Sequence, residues 1–329
     1  MKKWLLIFVA LLGSLAIYTV IGAARTEESF PPIGQFVQVD GVRMHYNETG
    51  RGPSVVLIHG ASTSLRDFDA SIAGPLSRSH RVIAVDRPGH GYSERPPGDW
   101  IDPARQARLI RGLLARIGVH DPLLVGHSWS GSVVLAYLLD YPEEAVGGVL
   151  LAGGSHAWEG GVAWHVDLAG LPVLGEVFAR TLAYPFGRLA IESAVEGVFA
   201  PNQVPEGYTS RTGILLSLRP ETFLANAQDV RLLSDFLAGQ SKRYGEISHP
   251  LLLVTGEKDT IVPAWNHAAR LTRQIPGAVR VELPDTGHAL HHTHPARVVD
   301  LIETFSDQIR NPSDSADTAA RPLNPAPAR

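Results

Sequence analysis

No stretch of the chain restricts its fold more than Gly126-His127-Ser128-Trp129-Ser130-Gly131. Pro122-Leu123-Leu124-Val125 runs into it with strand character, and the apolar run from Val133 to Leu139 leaves it at helical length. A strand that breaks at glycine, presents a serine and resumes as a helix is the setting in which a hydroxyl is held out as a nucleophile. So sharp a turn demands small residues two positions to either side of the serine. Gly126 and Ser130 meet that demand, with Ser130 in the place where a second glycine is usual. The turn also aims a helix N-terminus, with its unpaired N–H groups and partial positive charge, at any oxyanion formed there.

The pattern around this turn is that of an open sheet. Residues 54–58, 81–86, 149–151 and 251–254 are short, continuous apolar runs, as expected of parallel strands covered on both faces. Helical stretches near 64–76, 103–117 and 130–139 alternate with them, which predicts an α/β fold with a doubly wound, mostly parallel sheet. Residues 35–39 and 42–46, joined by Asp40-Gly41, read as an antiparallel pair forming one edge. From 155 to 247 no strand-like run appears. The segment is rich in Gly, Pro and aromatics, Trp158 and Trp164 among them, and is expected to be a helical insertion over the C-terminal ends of the strands.

At the N-terminus Lys2-Lys3 precede an uncharged stretch, residues 4–24, of about twenty residues, enough to cross a ~30 Å hydrocarbon core. A secretory signal has a shorter apolar centre, so a retained anchor is the expectation, although Gly22-Ala23-Ala24 offers a cleavage site. Either way Lys2 and Lys3 stay in the cytoplasm. The remainder lies outside it, on the periplasmic side in a bacterium if anchored, or secreted if cleaved. Residues 27–32 read as a short linker. The resulting division is a signal-anchor or transmembrane helix over 1–26, a core over 33–154 and 248–310, a helical cap over 155–247 and a disordered tail over 311–329. The net charge of −4 gives no electrostatic hold on nucleic acid. The absence of cysteine excludes disulfides, thiolate metal sites and a cysteine nucleophile.

A serine hydroxyl needs a base to take its proton and an acid to hold the base. Thr255-Gly256-Glu257-Lys258-Asp259 follows the strand at 251–254, and Pro284-Asp285-Thr286-Gly287-His288 follows the last strand, around 279–283. Both turns leave the same rim of the sheet as Ser128. Asp259 can therefore orient His288 toward Ser128, in the chain order Ser, Asp, His. Glu257 and Asp285 are the alternative acids. His291, His292 and His294 cluster near His288; with no acidic partner at ligand spacing, they read as helix-start and surface residues rather than a metal site. His59 and His127 read as structural turn residues.

His59-Gly60-Ala61 and Asp86-Arg87-Pro88-Gly89-His90-Gly91-Tyr92-Ser93, taken with the serine turn and the two later turns, resemble the α/β-hydrolase fold family over roughly residues 35–310. That resemblance implies Ser128 as nucleophile, His288 as general base and then acid, and Asp259 as its orienting acid. It also implies the backbone N–H groups of Ala61 and Trp129 as an oxyanion hole, with no cofactor and no metal. Serine at 128 argues against the aspartate-nucleophile relatives. The expected activity is hydrolysis of an ester or related acyl bond of a small, hydrophobic substrate through an acyl-enzyme, with Trp129, Trp158 and Trp164 as candidate substrate-binding residues. Alternatives on the same triad are a cofactor-free haloperoxidase or perhydrolase and a carbon–carbon bond hydrolase; the non-enzymatic alternative is an exported binding protein.

Overall fold

The computed structural model describes residues 1–96, 98 and 100–311. The tail expected to be disordered lies, from residue 312 on, outside the described residues.

The chain opens with α1 (Lys2–Ser29), a 28-residue helix of mean hydropathy 2.4 over its most apolar window, long and apolar enough by length and composition to cross a membrane. The core then builds one eight-stranded sheet in the order β1-β2-β4-β3-β5-β6-β7-β8. Its strands are β1 (Gln35–Val39), β2 (Val42–Thr49), β3 (Ser54–Ile58), β4 (Arg81–Val85), β5 (Leu123–His127), β6 (Gly147–Leu151), β7 (Leu251–Gly256) and β8 (Ala278–Leu283). The pairings β1–β2 and β2–β4 are antiparallel and all others parallel, so the expected antiparallel pair does form one edge. Every residue of β3, β5, β6 and β7 is buried, because helices cover both faces.

Two apolar layers enclose the sheet. One face packs against α4 (Pro103–Arg116), α5 (Gly131–Asp140) and α11 (Ala268–Gln274). The other packs against α2 (Arg66–Asp69), α3 (Ala73–Leu76), α12 (Leu290–Thr293) and α13 (Pro295–Arg310). The helix expected over 64–76 is two short pieces. Pro75 has no N–H to bond the carbonyl four residues back, and Gly74 before it adds backbone freedom. Asp102 caps α4 by accepting from the Ala104 N–H at 2.8 Å, with Pro103 at the first helical position.

Between β6 and β7 the described structure is helical: α6 (Trp164–Ala169), α7 (Leu174–Phe178), a π-helical turn (Ala179–Ala183), α8 (Tyr184–Phe199), α9 (Tyr208–Thr212) and the long α10 (Pro220–Gln240). The expected linker after the N-terminal helix needs correction. The helix continues through Ser29, and Phe30 is tied down by the Tyr92 hydroxyl, which donates to its carbonyl at 2.5 Å.

The strand order reverses at β3, whose neighbours are β4 and β5. The crevice of an open α/β sheet opens beyond the carboxyl ends of the strands at such a switch. The loop after β4 is shaped for it. Buried Asp86 accepts from the Leu65 N–H (2.7 Å), the Tyr92 N–H (2.8 Å) and His45 Nδ1 (2.6 Å). Gly91, at φ 51°, lies so close that an added Cβ would fall 2.0 Å from an Asp86 carboxylate oxygen. Gly91→Ala should therefore lower unfolding stability by more than about 2 kcal/mol, strain and collision together. In a matched urea titration Gly41→Ala, at φ 80° with nothing within 4 Å of the added carbon, should cost only about 1 kcal/mol. Equal costs would contradict the account of this loop.

Candidate active site

β5 ends at His127, so Ser128 is the first residue beyond the strand, and the 3₁₀ turn Ser128–Ser130 leads directly into α5. Ser128 takes φ 52°, a left-handed conformation that a residue with a Cβ avoids at a cost of order 1–3 kcal/mol. The neighbours leave no slack: a Cβ on Gly126 would meet the Ser130 carbonyl oxygen at 2.5 Å, and one on Gly131 the Gly153 Cα at 2.7 Å. Ser130, in place of the usual second glycine, is fully buried, and its hydroxyl donates to the His59 carbonyl. The extra atoms thus tie the serine turn to the loop after β3.

The turns after β7 and β8 bring the other two expected residues to this point. His288 Nε2 lies 2.8 Å from Ser128 Oγ, and His288 Nδ1 lies 2.8 Å from Asp259 Oδ2. The other Asp259 oxygen accepts from the Ile261 and Val262 N–H groups at 2.8 and 3.0 Å. Burial pushes the Asp259 pKa up. The hydrogen bond and charge of His288, with the two N–H donors, outweigh that and hold it below its ordinary value. Neither alternative acid reaches the histidine: Glu257 is exposed, accepts from the Asp285 N–H at 3.0 Å and pairs with Lys258, while Asp285 is an exposed turn residue at φ 51°.

The two expected oxyanion donors flank the serine. Trp129 N–H belongs to the serine turn itself. Ala61 follows Gly60, whose added Cβ would sit 3.0 Å from Ser128 Cβ. That loop is held from the cap side: the Ser62 N–H donates to Asn226 Oδ1 at 2.6 Å, and Asn226 Nδ2 donates to Ser62 Oγ at 2.9 Å.

Beneath the site sits a buried charge cluster that joins core to cap. Arg87, fully enclosed, pairs through Nη1 with Asp229 of α10 at 2.5 Å. It also donates to the His59 and Gly60 carbonyls and lies 4.2 Å over the Trp129 ring. Arg95 holds the second Asp229 oxygen at 2.7 Å, and Trp129 Nε1 donates to the Asp229 carbonyl at 3.0 Å. His59 accepts the Arg87 N–H on Nε2; burial, then the Arg87 charge, lowers its pKa to about 4 and keeps it neutral. His59 is thus a structural turn residue, as expected. His127 is buried between the His288 and His291 rings, with centroids at 4.9 and 4.4 Å, and donates from Nε2 to the His288 carbonyl.

Trp129, one of the expected substrate-binding residues, is buried, with Arg87 over its ring and its nitrogen bonded to Asp229. Trp158 packs part-buried against the core, and Trp164, on α6, is 71 % exposed. His291 and His292 are not surface residues: both are buried and donate to the two oxygens of Asp67, at 2.9 and 2.8 Å. This acid lies more than two hundred residues earlier in the chain, on α2, where no local spacing could reveal it. Its carboxyl stays ionised: burial raises its pKa, but the two imidazoles more than offset that and hold it well below its ordinary value. Asp67, His291 and His292 offer ligand atoms within 4.8 Å of one another, and as placed both imidazoles and the Tyr208 hydroxyl bond the carboxylate. Asn226 and Asp229 also escaped sequence reading, being polar positions on a helix with no motif to mark them.

A family model described as the alpha/beta hydrolase family matches residues 55–301. An uncharacterised protein of Mycobacterium tuberculosis is 28 % identical over 302 residues, covering 89 % of this chain and 86 % of that one. A 2-hydroxy-6-oxononadienedioate/2-hydroxy-6-oxononatrienedioate hydrolase of Burkholderia vietnamiensis is 27 % identical over 275 residues, 80 % of this chain and 91 % of that one. Among solved structures, a thermophilic esterase from Thermogutta terrifontis superposes with a TM-score of 0.67 at 24 % identity, covering 84 % of this chain and 99 % of that one.

Removing Asp229 leaves Arg87 buried and unpaired. Asp229→Ala should lower stability by about 3–5 kcal/mol in denaturant unfolding, whereas Glu144→Ala, at an exposed ion pair, should change it by less than about 1 kcal/mol. Similar losses for the two would contradict the assigned weight of the seam. With sheet order, loop sequences and family match in agreement, the chain belongs to the alpha/beta hydrolase family.

Proposed function

We propose that the protein is a serine hydrolase that cleaves an ester or related acyl bond of a small, hydrophobic substrate through an acyl-enzyme on Ser128. The single observation carrying this reading is the continuous relay from Ser128 Oγ through His288 to Asp259, each contact 2.8 Å. In it, His288 Nε2 takes the hydroxyl proton as Ser128 Oγ attacks the carbonyl carbon. The carbonyl oxygen, now negative, is received by the N–H groups of Ala61 and Trp129. Each such donor is worth about 2.7–4 kcal/mol in the transition state. His288 then passes the proton to the leaving alcohol, and the acyl group stays on Ser128. Water, deprotonated by His288, releases the acid and restores the hydroxyl. Asp259 stays ionised throughout and fixes the imidazole so that Nδ1 carries its proton inward and Nε2 faces Ser128. The steps consume one water and need no cofactor.

The position of α1 supports a second part of the reading: it serves as a membrane anchor, with Lys2 and Lys3 in the cytoplasm and the hydrolase outside it.

A carbon–carbon bond hydrolase is the second reading, favoured by the 27 % identity to the Burkholderia dienedioate hydrolase. The same three side chains serve it, so substrate choice separates the two. In kcat/KM assays on short-chain nitrophenyl esters, Ser128→Ala should lose a factor of roughly 10³ or more, while Glu257→Ala, outside the relay, should stay near the parent. Undiminished turnover by Ser128→Ala would overturn the serine mechanism. Turnover of a vinylogous 1,5-diketone acid with none on esters would move the assignment to carbon–carbon cleavage.

A further inference from the structure

α1 does not stand clear of the domain. Its last three turns dock on the cap through a built contact. Thr19 is fully buried, with its hydroxyl donating to the Thr181 carbonyl at 3.3 Å. The buried Tyr184 hydroxyl donates to the Gly22 carbonyl at 2.8 Å and lies 2.8 Å from Thr26 Oγ1. Gly22 is required here, since a Cβ on it would meet the Tyr184 ring at 2.2 Å. One residue beyond Thr26, Glu27 pairs with Arg219 at 2.9 Å.

This contact fixes the cap's depth relative to the apolar run. The first charge after that run is Arg25, six residues beyond Thr19. At ~1.5 Å per residue, Thr19, and with it Thr181, lies about 9 Å along the helix inside the point where α1 turns polar. The cap segment is thus level with the outer end of the apolar run. Its surface there is itself apolar. Val173, Leu174 and Val177, on and just before α7, are 72 %, 57 % and 44 % exposed. Phe186 and Leu189, early in α8, are 61 % and 82 % exposed, and Trp164 of α6 is 71 % exposed. Charges border and interrupt it: Arg180 bridges Glu176 and Glu221, each at 3.0 Å, and Arg188 is exposed between Phe186 and Leu189, with a stem long enough to carry its charge to the headgroups. Apolar side chains this exposed, with a basic residue among them and continuous with an apolar helix, match a surface that enters a bilayer interface by ~5–10 Å.

We propose that the cap edge formed by α7, the π-helical turn and the start of α8 inserts into the bilayer that α1 crosses, so that cap and anchor form one membrane-contacting unit. The proposal rests on the reading of α1 as a membrane anchor. The occupant of the patch is lipid, because the patch is pinned to α1 at a depth where α1's own neighbours would be lipid.

The chain has no cysteine, so single labels are clean. The full-length protein carrying Leu174→Cys, Leu189→Cys, Leu11→Cys on α1, or Arg116→Cys at the far end of α4 is labelled with an environment-sensitive fluorophore. Each is reconstituted into vesicles of phosphatidylethanolamine and phosphatidylglycerol doped, in separate preparations, with lipid spin-labelled at a shallow or at a deep acyl position. Labels at 174 and 189 should lose roughly half their emission to the shallow spin label, the label at 11, near mid-bilayer, should lose its emission to the deep one, and all three should resist aqueous iodide, while the label at 116 should respond to iodide and to neither lipid. If 11 is quenched by lipid but 174 and 189 by iodide, the cap stays in water: the insertion is overturned and the anchor stands. If none of the three responds to lipid, both readings fall. If 174 and 189 resist both quenchers, protein rather than lipid covers the patch, which also overturns the proposal.

Discussion

The structure depends on one strained backbone position. Ser128 sits at φ 52° at the end of a fully buried strand, a state that persists only where the surroundings leave no alternative. Gly126 and Gly131 let the neighbouring backbone close in, Ser130 bonds the next loop, and β5 is locked between β3 and β6 by parallel ladders on both sides. The strain is offset by central sheet packing and leaves the hydroxyl clear of the strand, at the start of a helix. From there the topology does the rest. The loop after β3 and the turns after β7 and β8 all leave the same rim, so the Gly60-Ala61 loop, Asp259 and His288 meet around Ser128 at a point no local stretch of sequence could assemble.

A second constraint lies under that rim. Arg87, Asp229 and Arg95 make a buried three-member charge cluster where core loop meets cap helix, with Trp129 wedged against it. Such a cluster is weak evidence for net stability, because desolvation of the charges consumes most of their attraction. Its effect is on register. α10 can settle only where Asp229 meets two guanidiniums and Asn226 meets Ser62, and that same placement holds the loop that carries Ala61. The Asp67–His291–His292 set does similar work on the far side of the base, anchoring α12 to α2 beside His127. Both arrangements place a carboxylate in the interior with donors on both of its oxygens.

Much of this was legible in the sequence because the strands of a covered parallel sheet are continuous apolar runs with abrupt ends. Residues 54–58 and 81–85 were bounded almost to the residue on that ground. The three triad candidates were found because each stands at a fixed step after such a run. What escaped was whatever depends on partners distant in sequence. Asp67 was invisible as the acid for His291 and His292, which made two buried histidines look like surface ones. The exposure of Trp164 was equally hidden, because an aromatic in a helical segment carries no mark of which face it takes. Residues 27–29, expected within a linker, are helical, and Glu27 reaches Arg219, a partner far along the chain that no local pattern reveals. The joined antiparallel pair and the cap, by contrast, were readable from Asp40-Gly41 and from the long interval without a strand.

The claim on which the account turns is that Ser128, His288 and Asp259 act together around the N–H groups of Ala61 and Trp129. A crystal structure of the protein after reaction with an alkyl fluorophosphonate tests it most directly, since the phosphonyl group stands in for the tetrahedral acyl intermediate. The account predicts a covalent bond from Ser128 Oγ to phosphorus, with the phosphonyl oxygen within hydrogen-bond distance of both N–H groups and His288 still joined to Asp259. An unmodified Ser128, or an adduct whose oxygen faces neither N–H, would contradict it.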